Sequence, residues 1–150
     1  MNNKEHIYQN ILSLAPKLFE SHELISKMAI FNAIYKKEFS NILFVGFYLL
    51  KNNKLFIGPY QGNTIACSPI DIGKGVCGES ILENKTIIVN DVRKRKNYIS
   101  CDPDTVSELV IPLSKKSNLI GVLDIDSSKK NYFTDTDTKY LNKLLNEISK

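Results

Sequence analysis

Three cysteines carry the chemistry open to this sequence. Cys67, Cys77 and Cys101 fall within a stretch of 35 positions, each beside turn-forming or polar residues: Ala66-Cys67-Ser68, Gly75-Val76-Cys77-Gly78 and Ser100-Cys101-Asp102-Pro103. A thiol redox relay needs one thiolate to attack, a second thiol to resolve the product, and loops that bring them together. Cys77 follows Gly-Lys-Gly-Val and precedes a predicted helix, so backbone N–H groups and Lys74 could lower its pKa and activate it. For Cys101 the neighbours disagree: the run Arg93-Lys94-Arg95-Lys96 favours a thiolate, while Asp102 opposes one unless it points away. The plainer reading is three unrelated small hydrophobes. Zinc fits poorly, because structural sites want four ligands at CxxC-like spacing. Here the gaps are ten and twenty-four, and His6 and His22 lie far off, so no metal is expected.

Carboxylates form a second candidate set. Asp124 and Asp126 are two apart in a β-rich run, so they share one face of a strand while Leu123 and Ile125 take the other. Glu108, on the preceding strand, could lie near them and complete a cluster able to hold an ammonium group or to keep one proton for catalysis. Taken alone, the pattern favours a solvated strand face over a site.

These residues need a scaffold, and hydropathy supplies one. Residues 6–20 place Ile7, Tyr8, Ile11, Leu12, Leu18 and Phe19 at roughly helical spacing, with Pro16 interrupting or kinking the pattern. From Ser21, a plausible N-cap, to Tyr35 a second helix is predicted, with Leu24, Met28, Phe31 and Tyr35 at intervals of four, three and four. The run from Ile42 to Leu50 and then Leu55-Phe56-Ile57 reads as a hairpin, broken at Gly58-Pro59, with a third short strand around Thr64 to Ile70. A helix is predicted to begin near Gly78, followed by a strand over Thr86 to Val89. Residues 91–106 lack periodicity, and a loop of that length is more often functional or mobile than a plain connection. Strands over Glu108 to Leu113 and Leu119 to Ile125 make a second hairpin. Thr134 and Asp137, in capping-box spacing, open an amphipathic helix carrying Tyr140, Leu141, Leu144, Leu145 and Ile148. Helices at both ends around mostly hairpin-connected strands make an α+β class with an antiparallel sheet.

The totals agree with one globular domain over 1–150: helices in 1–36, sheet and loops in 40–127, a helix in 134–150. A chain of 150 residues buries roughly 68–70% of its unfolded surface. The N-terminus, Met-Asn-Asn-Lys-Glu-His, carries no apolar secretory stretch, and the odd cysteine count argues against a disulfide framework, so reduced thiols in a cytoplasmic protein are expected. A net charge of +4 invites a nucleic-acid reading, but only Tyr98 stands beside the one dense basic run, and a solvated loop explains it more simply.

Taken jointly, several segments resemble the free methionine-(R)-sulfoxide reductase family, a stand-alone GAF fold. They are Val45-Gly46-Phe47-Tyr48-Leu49-Leu50, Gly58-Pro59-Tyr60-Gln61-Gly62, Gly73-Lys74-Gly75-Val76-Cys77-Gly78, Cys101-Asp102, Ser107 to Pro112, and Gly121 to Ser127. Their joint order is specific, and the match runs from about residue 40 to the C-terminal helix. The first 36 residues match only in being helical. The resemblance implies a central antiparallel sheet of about six strands, with the N- and C-terminal helices packed on one face. It implies that Cys101 attacks the sulfoxide sulfur of free methionine-R-sulfoxide and becomes a sulfenic acid, that Cys67 resolves it as a disulfide, and that thioredoxin (or dithiothreitol) reopens the bond without any cofactor. Cys77 would be a pocket thiol and an alternative partner. Glu108, Asp124, Asp126, Phe44 and Tyr48 would bind substrate, a role in oxidative stress would follow, and a homodimer is the assembly that family members often show.

That resemblance reverses the solvated-face preference for the carboxylates, and chemistry supports the change. A sulfoxide oxygen leaves poorly until protonated, and a carboxylate facing a free ammonium explains rejection of peptide-bound methionine. One departure stands out: the family usually has Trp where this chain has Phe44, which is expected to loosen the pocket and raise KM while keeping an aromatic wall. The rival readings are a GAF sensory module binding a nucleotide or other small molecule without chemistry, and a scaffold protein using its terminal helices.

Overall fold

A computed structural model describes residues 3–150. Helix α1 (Asn3–Phe19) buries Tyr8, Ile11, Ala15 and Phe19, and α2 (Leu24–Glu38) buries Met28, Phe31, Asn32 and Tyr35. Pro16 does not end α1, since it sits in the last turn with three residues to follow. Ser21 is not the cap of α2. It lies in the left-handed region at φ 61°, the chain turns there, and extended Glu23 precedes the helix without a side-chain cap.

The sheet comprises β1 (Ile42–Lys51), β2 (Lys54–Gly62), β3 (Ile70–Asp71), β4 (Ile87–Val89), β5 (Ser107–Lys115) and β6 (Asn118–Ser127), all antiparallel in the order β3-β2-β1-β6-β5-β4. The α+β class and the six antiparallel strands expected from the sequence are thus present. Strand β2 continues through Gly58-Pro59, where a break was predicted. β3 pairs only with Lys54 and Leu55, so Pro59 lies where β2 is a free edge and a missing N–H costs no ladder bond. β3 itself is shorter than expected, and Cys67 lies in the irregular chain before it.

Helix α3 (Gly75–Glu83) follows β3 and begins three residues before Gly78. Gly73 and Gly75 adopt φ of 84° and 63°, which L side chains rarely tolerate, and this left-handed turn redirects the chain into the helix early. At Gly78 a Cβ would lie 2.5 Å from the Asp71 carbonyl oxygen, so α3 seats tightly on the β3 turn. Helix α4 (Asp135–Ser149) closes the fold, with the Asp137 carboxylate accepting the Thr134 N–H at 2.8 Å as the spacing predicts.

The pleat divides the molecule. Val45, Phe47, Leu109, Ile111, Leu123 and Ile125 point to one face and join α1, α2 and α4 in the larger core. Phe44, Tyr48, Val110 and Val122 point to the other and pack with Val76, Cys77 and Ile81 of α3. No described helix is long and apolar enough to cross a membrane.

Candidate active site

The second face holds the carboxylates. Across the β5–β6 ladder Glu108 pairs with Asp126 and Val110 with Asp124, so Glu108, Asp124 and Asp126 share the α3 side of the sheet. They are not on a solvated face: Glu108 is 6% and Asp124 5% exposed, because α3 and the loop before β5 cover them. Oδ1 of Asp124 and Oδ1 of Asp126 are buried without a hydrogen-bond partner. Among the described residues no lysine or arginine comes within ion-pairing distance of the three.

Burial without counter-charge makes these groups hold protons. Desolvation, then the charges of Asp124 and Asp126, pushes Glu108 well above the usual carboxylate range. Desolvation pushes Asp126 up likewise and Asp124 to about 6, the latter held down by hydrogen bonds from Glu108 and Cys77. The group most ready to carry the charge is therefore Asp124, with Glu108 as proton donor to it.

Cys77 lies in the first turn of α3, 3% exposed. The sequence suggested that the helix terminus would activate this thiol. The structure reverses that: burial, then the charges of Asp124, Glu108 and Asp126, pushes the thiol up and keeps it neutral. Lys74, on which that expectation leaned, is exposed.

Cys67 and Cys101 form a disulfide with 5.6 Å between Cα atoms, the pair that the resemblance implied. Both are partly exposed, and Cys101 lines a cleft whose walls include Phe44, Tyr48, Cys77 and Tyr98 and whose floor is the carboxylates. Cys67 does not line it. Phe44 stacks on Tyr60 and Tyr48 with ring centroids 5.4 and 6.3 Å apart, and Gly46 and Gly62 leave room for its ring. Burial, then the charge of Asp124, pushes the Tyr48 hydroxyl up, so it stays a neutral donor. Asp102, which the sequence set against a Cys101 thiolate, turns its carboxylate to the Asp104 N–H at 2.9 Å.

Sequence reasoning missed how the loop over the cleft is held. Asn97 Oδ1 accepts the Gly75 N–H at 2.8 Å, and Asn97 Nδ2 donates to Gly73 O and Glu79 Oε2, both at 3.1 Å. Arg95 pairs with Glu79, and Arg93 pairs with Asp91 at 2.8 Å, so half of the basic run is spent on fastening the loop. Tyr98, Ile99 and Cys101 are thereby brought to the cleft. No periodicity marks a lone Asn in a charged segment; the unusual length of the loop was the available signal.

The GAF domain family model matches residues 35–150. The chain is 43% identical over 145 residues to "GAF domain-containing protein A" of Dictyostelium discoideum, covering 95% of this chain and 90% of that protein. It is 39% identical over 126 residues to the free methionine-R-sulfoxide reductase of Escherichia coli, covering 84% of this chain and 76% of that protein. The solved structure of the free methionine-R-sulfoxide reductase from Neisseria meningitidis in complex with its substrate superposes with a TM-score of 0.93 at 32% identity, covering 99% of this chain and 90% of that one.

Proposed function

This chain belongs to the GAF domain family and, within it, to the free methionine-R-sulfoxide reductases, and it is an oxidoreductase; from that premise we propose how its own residues reduce free L-methionine-(R)-S-oxide to methionine. The reading is carried by one juxtaposition: a thiol already paired in a disulfide, Cys101, stands at a cleft whose floor is a set of proton-holding carboxylates.

The substrate ammonium sits against Asp124 and Asp126, whose unpartnered oxygens supply the acceptors. A peptide-bound methionine has no such charge and would leave both carboxylates unanswered in a dry site. The N–H of Gly75 is taken by Asn97, so the next amides of the α3 N-terminus, those of the cleft-lining Val76 and Cys77, are the ones that suit the α-carboxylate. The aromatic wall of Phe44 and Tyr48 packs on the methyl-sulfur end.

In the reduced enzyme the Cys101 thiolate attacks the sulfoxide sulfur while Glu108 delivers a proton to the sulfoxide oxygen. Oxygen passes to Cys101 as a sulfenic acid, and methionine leaves with its sulfur reduced by two electrons. The Cys67 thiol then attacks the Cys101 sulfur, the S–O bond breaks, and water departs. The product is the Cys67–Cys101 disulfide. An external dithiol of the thioredoxin kind reopens it, and the partial exposure of both half-cystines supports such access.

Chiral amino-acid chromatography of free methionine-R,S-sulfoxide incubated with the protein and dithiothreitol tests the reading. Loss of only the R epimer, abolished in Cys101→Ser, is the expected result. Persistence of both epimers would overturn it in favour of a ligand-sensing GAF module.

A further inference from the structure

Cys77 is left over by the relay. It is the free cysteine of the chain, buried in the apolar cluster under α3 with carboxylate oxygens of Glu108 and Asp124 within 4.8 Å of its sulfur. Donor atoms of Cys77, Glu108 and Asp124 lie within 4.8 Å of one another, contributed by α3, β5 and β6. Asp124 Oδ1 and Asp126 Oδ1 are buried and unpartnered, and although Lys74 borders the cleft, no described lysine or arginine forms an ion pair with any of the carboxylates.

An ammonium answers the carboxylates but gains nothing particular from a thiol. A borderline-soft divalent ion uses both, binding a thiolate at roughly 2.3 Å and carboxylate oxygens at roughly 2.0–2.2 Å. Tetrahedral ligands at those bond lengths stand roughly 3.5 Å apart, so a spread of up to 4.8 Å closes with small side-chain rotations. Mg²⁺ and Ca²⁺ want six or more oxygens and no sulfur. The spacing of the three cysteines argued against a structural zinc site of four ligands. A site of three ligands from different residue types, with a fourth position open to the cleft, is not readable from that spacing.

We propose that Cys77, Glu108 and Asp124 bind a zinc-class divalent cation, which occupies the place of the substrate ammonium and inhibits the enzyme reversibly. On binding at neutral pH, Cys77 and Glu108 release their protons to solvent, Asp124 enters as the carboxylate, and no redox change occurs. The site does not use Cys67 or Cys101, so it persists when they are joined in the disulfide. The metal site rests on the geometry of the cleft alone, whereas the inhibition and the competition with methionine rest also on the reductase reading.

The test uses the oxidised protein, in which Cys77 is the one free thiol, titrated with Cd²⁺, whose bond to a thiolate gives an ultraviolet charge-transfer band. One equivalent should develop the band, Zn²⁺ should displace it, Mg²⁺ should not, and excess free methionine should compete. The band should vanish in Cys77→Ser. In Asp124→Asn the apparent affinity should fall about tenfold or more. Thermal melts show whether each variant is folded, and Cys77→Ala serves if the serine variant is not. Absence of the band in the wild type, its survival without Cys77, or equal affinity in Asp124→Asn would overturn the site. An inactive protein that still binds Cd²⁺ would sink the reductase reading alone, and an active one that does not would sink the metal site alone.

Discussion

Each face of the sheet buries carboxylates, and the two faces treat them differently. Under the helices Asp137 is 0% exposed, yet it is fully answered: Lys4 Nζ lies 2.9 Å away, the Tyr8 hydroxyl donates at 2.7 Å, and the Thr134 N–H donates at 2.8 Å. Under α3, Asp124 and Asp126 each leave an oxygen without a partner, and no described cation pairs with them. Burying an ion is tolerable only when partners replace water. Asp137 is therefore a joint between α1 and α4, whereas the α3 cluster leaves buried carboxylate oxygens without a partner. Unsatisfied burial is the feature that distinguishes the α3 face from the helical face.

The largest expected effect pulls the two regions apart most clearly. Glu108→Gln removes the proton donor and should lower kcat/KM by about 10²–10⁴-fold, measured by methionine release, while the melting temperature holds or rises. If activity survives, Glu108 is not the acid. Asp137→Asn should do the reverse: a loss of about 3 kcal/mol, seen as a fall of roughly 10 °C in Tm, with activity per folded molecule unchanged. Equal stability of that variant and the wild type would mean that the partnered carboxylate is not a joint.

Asp124→Asn sharpens the contrast through pH. An unfolded aspartate titrates near 4 and folded Asp124 near 6, so the folded state binds more protons in between. The contribution of Asp124 to stability is present below about pH 4 and is lost as pH rises through about 6. Urea midpoints should therefore show the variant level with the wild type at acid pH and more stable by on the order of 2 kcal/mol at neutral pH. A constant difference across pH would refute a raised pKa. Phe44→Ala should raise KM for the free sulfoxide about tenfold with little change in kcat, since the wall it removes touches substrate before and during reaction alike. The smallest effect expected is in Asn97→Ala, which loosens the loop bearing Cys101. The rate of Cys67–Cys101 closure after one turnover should drop about threefold to tenfold, with KM nearly unchanged.

Much of the scaffold was legible because it depends on local periodicity. The helical spacing of Met28, Phe31 and Tyr35, the hairpin at Asn52-Asn53 and the capping pair Thr134 and Asp137 are all decided within a few residues of themselves. Misses arose where a distant partner ruled. Pro59 stays in β2 because β3 is too short to reach it, and Ser21 yields its cap role because the chain turns left-handed there. At the site, the sequence named the three thiols and the three carboxylates but misjudged Cys77, whose helix-terminus advantage is outweighed by burial beside Asp124 and Glu108.

By itself, then, the sequence determined the residue types, the strand face shared by Asp124 and Asp126, and the motif order that marks the family. All of these follow from side-chain chemistry and from the two-residue and 3.6-residue periods of the backbone. Only the tertiary structure decided that the shared face is dry, that Cys101 and not Cys67 borders the cleft, and that Asn97 fastens the loop to α3. Desolvation and unpaired charge come from elements far apart in the chain, and no local pattern records which of them will meet.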